Sequence, residues 1–477
     1  MMRALPPIGA RETFRVRRWD AVILGGALPG LVAAIRLGMR GSRVLILEEE
    51  TAAGAFPGVR EPFLMTGNGQ DGVLGACMKE LGIPLIDRRN VRSEPLAYQV
   101  AFPKARVDVG EIDRTADELE AWDISPGSVA RPLLTSLRES AMTRQVELQS
   151  AGLVADGRRI HRALRPPWES NKADASSSRS DGAPDPSRCG AAAAEQLATF
   201  FDAQLRALSN FAESPPTATV RTRLLGSALG GAAEINGRNR WLRDLLGRRI
   251  ETLYGEVRRF SGDFRLVSAG NRPAVALEDT ADICAGRALL INAPLPMLRS
   301  ANRGDSIPDL LSGPDPTHRR FVLHLRGQRK ALPLGMAPRV IRVGDPSKKT
   351  AGTNVICLRV FGDRKDDDSV DVVASAVVPI DANGNDVANE IESAVTSLMP
   401  LRQEGWVRVT GPQPRWDRDG LLSDPPGRGS GRIESRLRPA PRVAAYVLDR
   451  TRTGALGFEG DLLLGWHAGD TVAADLG

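Results

Sequence analysis

The chain has few of the residues that build metal sites or disulfide frameworks. Its 477 residues include only four cysteines and four histidines. No cysteines form a C-x-x-C pair and no histidines have ligand spacing, which argues against a zinc ribbon, an iron–sulfur cluster and a dithiol redox pair. His324, inside the apolar run FVLHL, is better explained as a packed strand residue than as a ligand. We therefore expect reduced thiols and no metal centre.

Aromatic residues and long apolar runs are also scarce. Aromatic side chains make up 5% of the sequence, too few for a series of base-stacking platforms, and the net charge of +6 is scattered rather than clustered. These features argue against nucleic acid as a partner. No run approaches the eighteen or so apolar residues of a membrane span, and the first twenty residues lack the apolar core of a signal peptide. We expect a cytoplasmic protein, with peripheral contact at a membrane surface left open.

Glycine is abundant, and its placement is most informative in residues 19–50. A short apolar run is followed by a glycine turn, an amphipathic helical pattern and a second apolar run, Val44–Leu47, that ends in Glu48. This strand–turn–helix–strand layout is typical of a unit that binds the ADP half of a dinucleotide, where the acid accepts hydrogen bonds from ribose hydroxyls. Glu49 and Glu50 follow directly, so the ribose-binding acid could be shifted by one position. A unit of this shape that binds nothing is the alternative.

Each small residue of the turn has a chemical reason. Gly25, Gly26 and Ala27 let the backbone approach a pyrophosphate, and the helix that follows offers unpaired N–H groups and the positive end of its dipole. Gly30 lets the helix pack tightly on the strand. Ala27 stands where G-x-G-x-x-G has its middle glycine, which adds one methyl group beside the phosphates.

The rest of the chain predicts a second domain around this unit, since 477 residues exceed one ordinary core. Residues 166–190 are rich in Ser, Asp, Pro and Gly and are expected to be a disordered insertion. Other patterns predict helices at 72–81, 131–144, 191–211, 239–246 and 386–399, a hairpin in 97–109, a strand-like run ending near Val257, and strands at 264–267, 274–277, 288–292, 320–327, 354–380 and 406–410.

Four later segments extend the pattern of the first unit. They are RRIETLYGEVRRF, which contains Val257, the run ALLINAPLPML, the pair SLMPL and WVRVTGPQPRW, and the terminus GFEGDLLLGWHAGDTVAADLG. Together with Gly25 to Glu48, this layout resembles the flavin-dependent amine oxidase and carotenoid (phytoene) desaturase superfamily over roughly residues 19 to 477.

The resemblance implies FAD and a set of further contacts. The second glycine motif would fall on Gly54, with Ala55 where a second glycine is expected and Phe56 where the residue is usually basic. Val257 would contact the adenine through its backbone, and ALLINAPLPML would lead into the substrate domain.

The resemblance also assigns a role to the C-terminus. An apolar strand would run into Gly469-Asp470, and a helix would then point its N-terminus at the flavin or pyrophosphate. Asp470 would meet the ribityl or phosphate region, with a frayed helix and an exposed acid as the alternative. Trp466 and His467 would lie near the flavin, or would simply pack at the strand end.

The implied architecture is α/β, with a Rossmann-like FAD-binding domain of discontinuous segments and an inserted α+β substrate domain. The predicted segments are 19–80, 226–300 and 441–477 for FAD, and 81–225 and 301–440 for a small-molecule substrate. The implied activity is that of an oxidoreductase taking a hydride equivalent, with no catalytic residue assigned. Two alternatives are a degenerate, non-catalytic member with a structural or interaction role and an NAD-binding dehydrogenase. The sequence does not indicate an oligomeric state.

Overall fold

The computed structural model describes residues 14–49, 72–152, 191–209, 218–235, 238–261, 263–292, 317–361, 368–399, 406–410, 421–422, 437, 444–448 and 457–477. The strands are β1 Arg15–Leu24, β2 Val44–Glu49, β3 Val91–Glu94, β4 Tyr98–Ala101, β5 Arg106–Val109, β6 Ala232–Ile235, β7 Glu256–Phe260, β8 Phe264–Ala269, β9 Arg272–Leu277, β10 Asp282–Ile291, β11 His318–Gln328, β12 Arg339–Val343, β13 Gly352–Phe361, β14 Ser369–Pro379, β15 Val407–Thr410, β16 Leu421–Leu422 and β17 Ala445–Val447.

The helices are α1 Leu28–Met39, α2 Val73–Glu80, α3 Leu85–Arg88, α4 Ile112–Ala121, α5 Gly127–Gly152, α6 Ala191–Leu208, α7 Ala218–Ala228, α8 Arg238–Thr252, α9 Gly384–Leu398 and α10 Gly457–Leu476. A short 3-10 turn spans Arg329–Ala331. The predicted α/β class is confirmed.

The first sheet is built around the N-terminal unit, in the order β7-β2-β1-β10-β9-β8, with β17 paired to β10. Strands β7, β2, β1, β10 and β17 run parallel, and the hairpin β8–β9 joins antiparallel to β10. Side chains alternate across β1: Ala21 and Ile23 face a core shared with α1, α2, α8 and α10, while Val22 and Leu24 face a second cluster. Distant segments of the chain are thereby joined in one sheet.

The second sheet has the order β15-β11-β14-β13-β12-β4-β5, with β16 paired to β11. Its neighbours are antiparallel except for the parallel pair β12–β4. One face packs against α4, α5, α6 and α7, and the other packs against α9. A two-stranded ribbon of β3 and β6 completes the described sheets. The predicted hairpin in 97–109 is confirmed as β4–β5.

Three predicted elements differ from the structure. The strand-like run before Val257 is wrong, since α8 continues to Thr252, and the turn after it uses Tyr254 at φ 60° before β7 starts. The strand predicted at 288–292 begins earlier, at Asp282. The apolar strand predicted before Gly469-Asp470 is also wrong, because the whole terminus is the single helix α10.

The segment predicted to be disordered, 166–190, lies outside the described residues, as do Gly54, Ala55 and Phe56. The domain boundaries stay predictions. Among the helices that the structure describes, none is long and apolar enough to cross a membrane.

Candidate functional site

The turn after β1 has the geometry that the glycine pattern predicts. Gly25 adopts φ 104°, a conformation that favours glycine, and its N–H donates to the carbonyl of Leu47 on β2 at 2.8 Å. Ala27 is extended at φ −72° and ψ 163°, so the methyl group that replaces the middle glycine imposes no backbone strain there. Strand β1, the turn and α1 therefore form the predicted unit.

The amino end of α1 is available to an anion. Its N-cap is Ala27, and no side chain caps the helix. Uncapped helix N–H groups and the positive end of the dipole bind phosphates and carboxylates. Pro29 lies in the first turn, where its lack of an N–H removes one donor. The end of α1 thus suits a phosphate group, with one backbone contact fewer than an unsubstituted turn.

Gly26 and Gly30 both lie where a side chain would collide with a neighbour. A Cβ at Gly26 would come within 2.6 Å of Arg243 Nη2 and 3.1 Å of Glu48 Oε1. A Cβ at Gly30 would overlap the amide nitrogen of Asn292 and approach the Gly25 carbonyl to 3.0 Å. The close contact expected at Gly30 is therefore with the side chain of Asn292, directly after β10.

Asn292 fixes the shape of the turn, a role that the sequence did not indicate. Its side-chain amide donates to the carbonyls of Gly25 at 3.1 Å and Ala27 at 2.9 Å, and its backbone N–H donates to Leu24 at 2.8 Å. The residue was recognised only as the end of an apolar strand. Its partners lie 265 and 267 positions away, and no local pattern identifies a contact of that separation.

Glu48 lies at the carboxyl end of β2 and faces the turn. Its side chain is mostly buried and forms an ion pair with Arg243 of α8, and Arg259 Nε of β7 lies 3.9 Å from its second oxygen. Two guanidinium groups thus surround one carboxylate. Burial and the nearby Arg259 lower the pKa of Arg243, and Asp244 opposes that shift. Arg243 therefore belongs to the candidate site, and the sequence indicated only the helix that carries it.

Val257 is on β7, opposite Ile46 of the neighbouring β2 in parallel register. Its side chain packs partly buried against the core that contains α1. This places its backbone one strand away from Glu48, on the edge strand of the first sheet. The predicted adenine contact stays a prediction.

Gly469 and Asp470 do not lie at the turn, contrary to the sequence-based assignment. A Cβ on Gly469 would lie 2.6 Å from Arg36 Cβ, eight positions into α1 and about 12 Å along its axis from its start. Asp470 accepts hydrogen bonds from Arg36 Nη2 at 2.6 Å and Arg40 Nη2 at 3.1 Å. Asp470 is buried, so it is not the exposed acid of a frayed end. It joins two helices.

Trp466 and His467 are both buried, and Trp466 lies in the contact between α10 and α1. The Arg36 guanidinium carbon lies 3.9 Å from the centroid of the Trp466 ring, a cation–π distance. Trp466 belongs to the core between α10 and the first sheet. The structure therefore shows Trp466 as a packing residue, which is the second of the two roles expected for it.

The first turn of α10 is tied to α7. Arg223 Nη2 donates to Glu459 Oε1 at 2.7 Å and Oε2 at 2.8 Å, and Arg223 Nη1 donates to the Ala141 carbonyl of α5 at 3.0 Å. Arg223 is almost fully buried, so this two-oxygen contact is held away from solvent. It connects helices packed on the second sheet with a helix packed on the first.

The second sheet buries a charged cluster on the face that carries α6. Arg339 Nη1 and Arg359 Nη2 each lie 3.4 Å from a Glu234 oxygen on β6, and Arg339 Nε donates to the Ala97 carbonyl at 2.7 Å. Burial lowers the pKa of Arg339, and Glu234 opposes that shift.

On the same face, His324 Nε2 lies 3.2 Å from Asp371 Oδ1. His324 is a packed strand residue, as expected. In the part of the chain that is described, no three His, Cys, Asp or Glu side chains are grouped to hold a metal ion.

No protein-family model matches the sequence, and no curated protein is significantly similar to it. Solved structures do resemble it. An oxidoreductase from Methanosarcina mazei matches over 94% of this chain and 99% of its own, with a TM-score of 0.57 and 14% identity. Wild-type putrescine oxidase bound to putrescine matches over 96% and 99%, with a TM-score of 0.53 and 14% identity. Cyclohexylamine oxidase from Brevibacterium oxydans matches over 96% and 98%, with a TM-score of 0.55 and 14% identity.

At these identities the similarity is one of fold. The chain has the fold of the amine oxidases over nearly its whole length. The resemblance inferred from the sequence is confirmed at that level.

Proposed function

We propose that the protein is an FAD-dependent oxidoreductase that takes a hydride equivalent from a small organic molecule. FAD would be held on the first sheet by a Rossmann-like domain of discontinuous segments, with the substrate between it and the α+β domain of the second sheet. The observation that carries the proposal is the turn Gly25–Ala27, where an uncapped helix end, a bare Gly26 and the carboxylate of Glu48 converge. Those groups match the diphosphate and ribose of an adenine dinucleotide.

Each side of the cofactor's ADP half has a candidate contact. The amino end of α1 and Gly26 would hold the diphosphate, and Glu48 would accept hydrogen bonds from the ribose. The β7 backbone at Val257 would border the adenine, and Gly54 remains a proposed contact on the sequence resemblance alone. Gly469 and Asp470 leave the set, because they join α10 to the far half of α1.

The redox chemistry would come from the flavin, which accepts the hydride equivalent when bound. The chain's own task would be to orient the substrate and exclude water. The Arg223–Glu459 contact supports this arrangement, since it fixes the first turn of α10 against helices of the second sheet. Putrescine oxidase and cyclohexylamine oxidase are named for amines, so primary amines are the first substrates to test.

The test is an absorbance spectrum of the purified protein, followed by denaturation and identification of the released cofactor. We expect the spectrum of an oxidised flavin, FAD in the supernatant, and bleaching of the flavin under anaerobic conditions by a substrate. Release of NAD would favour the nicotinamide alternative. A colourless protein that FAD cannot reconstitute would refute the proposal and favour the non-catalytic alternative.

A matched pair of variants localises the cofactor. Gly26→Ala puts a methyl group within 2.6 Å of Arg243 Nη2, whereas a Cβ at Gly247, on α8, meets nothing within 4 Å. We expect Gly26→Ala to lower the FAD content and Gly247→Ala to leave it unchanged. Equal FAD content in the two variants would place the cofactor elsewhere.

A further inference from the structure

The guanidinium of Arg243 lies directly over the bare α-carbon of Gly26. The residue belongs to α8, which packs beside α1, and its Nη2 atom occupies the space that a side chain at Gly26 would need. Its charge is therefore next to the amino end of α1, where the helix offers uncapped N–H groups. A cation and a helix N-terminus both attract an anion.

The same guanidinium is paired with Glu48 in this structure, and Arg259 is the second cation on that carboxylate. The local charge is one carboxylate against two guanidinium groups. The Arg243 side chain keeps 37% of its surface exposed, whereas Glu48 keeps 15%. An incoming anion can thus reach the guanidinium without unfolding the site.

We propose that Arg243 is a diphosphate-binding side chain, held over the turn by Glu48 until a nucleotide arrives. On binding, the guanidinium would donate to a phosphate oxygen, and the Glu48 carboxylate would accept hydrogen bonds from the ribose hydroxyls instead. Arg259 would keep Glu48 compensated during the exchange. This inference rests on the proposed dinucleotide site and extends it to a residue outside the glycine motif.

The surroundings of Arg243 favour a partner of higher negative charge. Desolvation and the proximity of Arg259 disfavour the charged form of Arg243 and lower its pKa. A diphosphate carries more negative charge than the single carboxylate it would replace at Arg243, so it compensates that guanidinium better. The guanidinium remains protonated throughout, because its pKa starts far above neutrality.

The experiment compares the dissociation constants of FAD and ADP for the wild-type protein, Arg243→Gln and Arg243→Lys, stripped of bound cofactor. Arg248→Gln is the matched control, since Arg248 also lies on α8 and is exposed. Losing a hydrogen bond to a charged group weakens binding by about tenfold or more. We expect that loss of affinity for both ligands in Arg243→Gln, partial recovery in Arg243→Lys, and less than about a threefold change in Arg248→Gln.

Ionic strength supplies a readout that a structural role would not change. Because salt screens charge attraction, ADP affinity should fall with added salt in the wild-type protein and fall less in Arg243→Gln. Thermal unfolding shows whether Arg243→Gln folds. If it does not fold, ADP binding by Arg243→Lys and the salt dependence of the wild-type protein test the role of Arg243.

Three outcomes separate the two proposals. Unchanged or tighter ADP binding by folded Arg243→Gln would overturn the role of Arg243 while leaving the dinucleotide site in place. Salt-independent binding by the wild-type protein would do the same. A wild-type protein that binds neither FAD nor ADP would overturn the proposed function, and the role of Arg243 with it.

Discussion

The close contact between α1 and α10 leads to a prediction about stability, in which the sign of the change is the test. Gly465 and Gly469 lie one helical turn apart on α10, and both face α1. A Cβ at Gly465 would overlap the Pro29 carbonyl oxygen and lie 2.8 Å from Val32 Cβ. Neither atom is the mobile end of a side chain, so relief requires the two helices to separate.

The perturbation is Gly465→Ala, with Gly247→Ala as the control in α8. Replacing glycine by alanine inside a helix stabilises it by about 1 kcal/mol. A Cβ at Gly247 meets nothing within 4 Å, so the control should keep that gain. At Gly465 overpacking costs about 1–3 kcal/mol. A cost in the upper part of that range exceeds the gain in helix propensity. Because the clash includes backbone, we expect a net loss of about 1–2 kcal/mol there.

The two variants should therefore move in opposite directions, separated by about 2–3 kcal/mol. The assay is urea unfolding followed by tryptophan fluorescence, with the unfolding midpoint and slope compared among the three proteins. Stabilisation of Gly465→Ala to the level of Gly247→Ala would refute the close packing of α10 on α1. Since α1 carries the proposed cofactor turn at its start, the destabilised variant should also retain less FAD.

Asp470→Asn should destabilise the protein by about 3 kcal/mol, because it leaves the buried Arg36 guanidinium without its charged partner; a midpoint in urea equal to the wild-type value would contradict this. Asn292→Leu leaves the Gly25 and Ala27 carbonyls without their amide donor, so we expect a loss of about 1–3 kcal/mol and lower FAD retention, measured by thermal unfolding and flavin absorbance. Burial raises the pKa of Cys77 to about 12 and that of Cys357 to about 11. Both thiols should therefore stay unlabelled by a maleimide at pH 8 until the protein is unfolded, and rapid labelling of the native protein, mapped by mass spectrometry, would argue against their burial.

The sequence was most informative where the candidate site is built from neighbouring residues. The turn at Gly25, the helix after it and Glu48 lie within one short segment, and their backbone requirements can be inferred from glycine, alanine and apolar spacing alone. The hairpin β4–β5 and the strands β8 and β9 were predicted for the same reason, because strand and turn patterns are local.

The terminus shows where such patterns fail. The run DLLLGW was interpreted as a strand, yet α10 is buried on nearly all sides between the first sheet and α1. A helix buried all round lacks an amphipathic repeat, so a short apolar run in it cannot be distinguished from a strand. Gly469, which resembled part of a cofactor motif, serves helix packing instead.

By itself, the sequence determined the α/β class and the first βαβ unit, because short-range sterics and hydrophobic periodicity specify them. Only the tertiary structure decided which charges meet at that turn. Arg243 lies 195 positions from Glu48 and Asn292 lies 267 positions from Gly25, and Asp470 pairs with Arg36 across 434. Such contacts depend on how sheets and helices pack, which the order of residues along one segment does not encode.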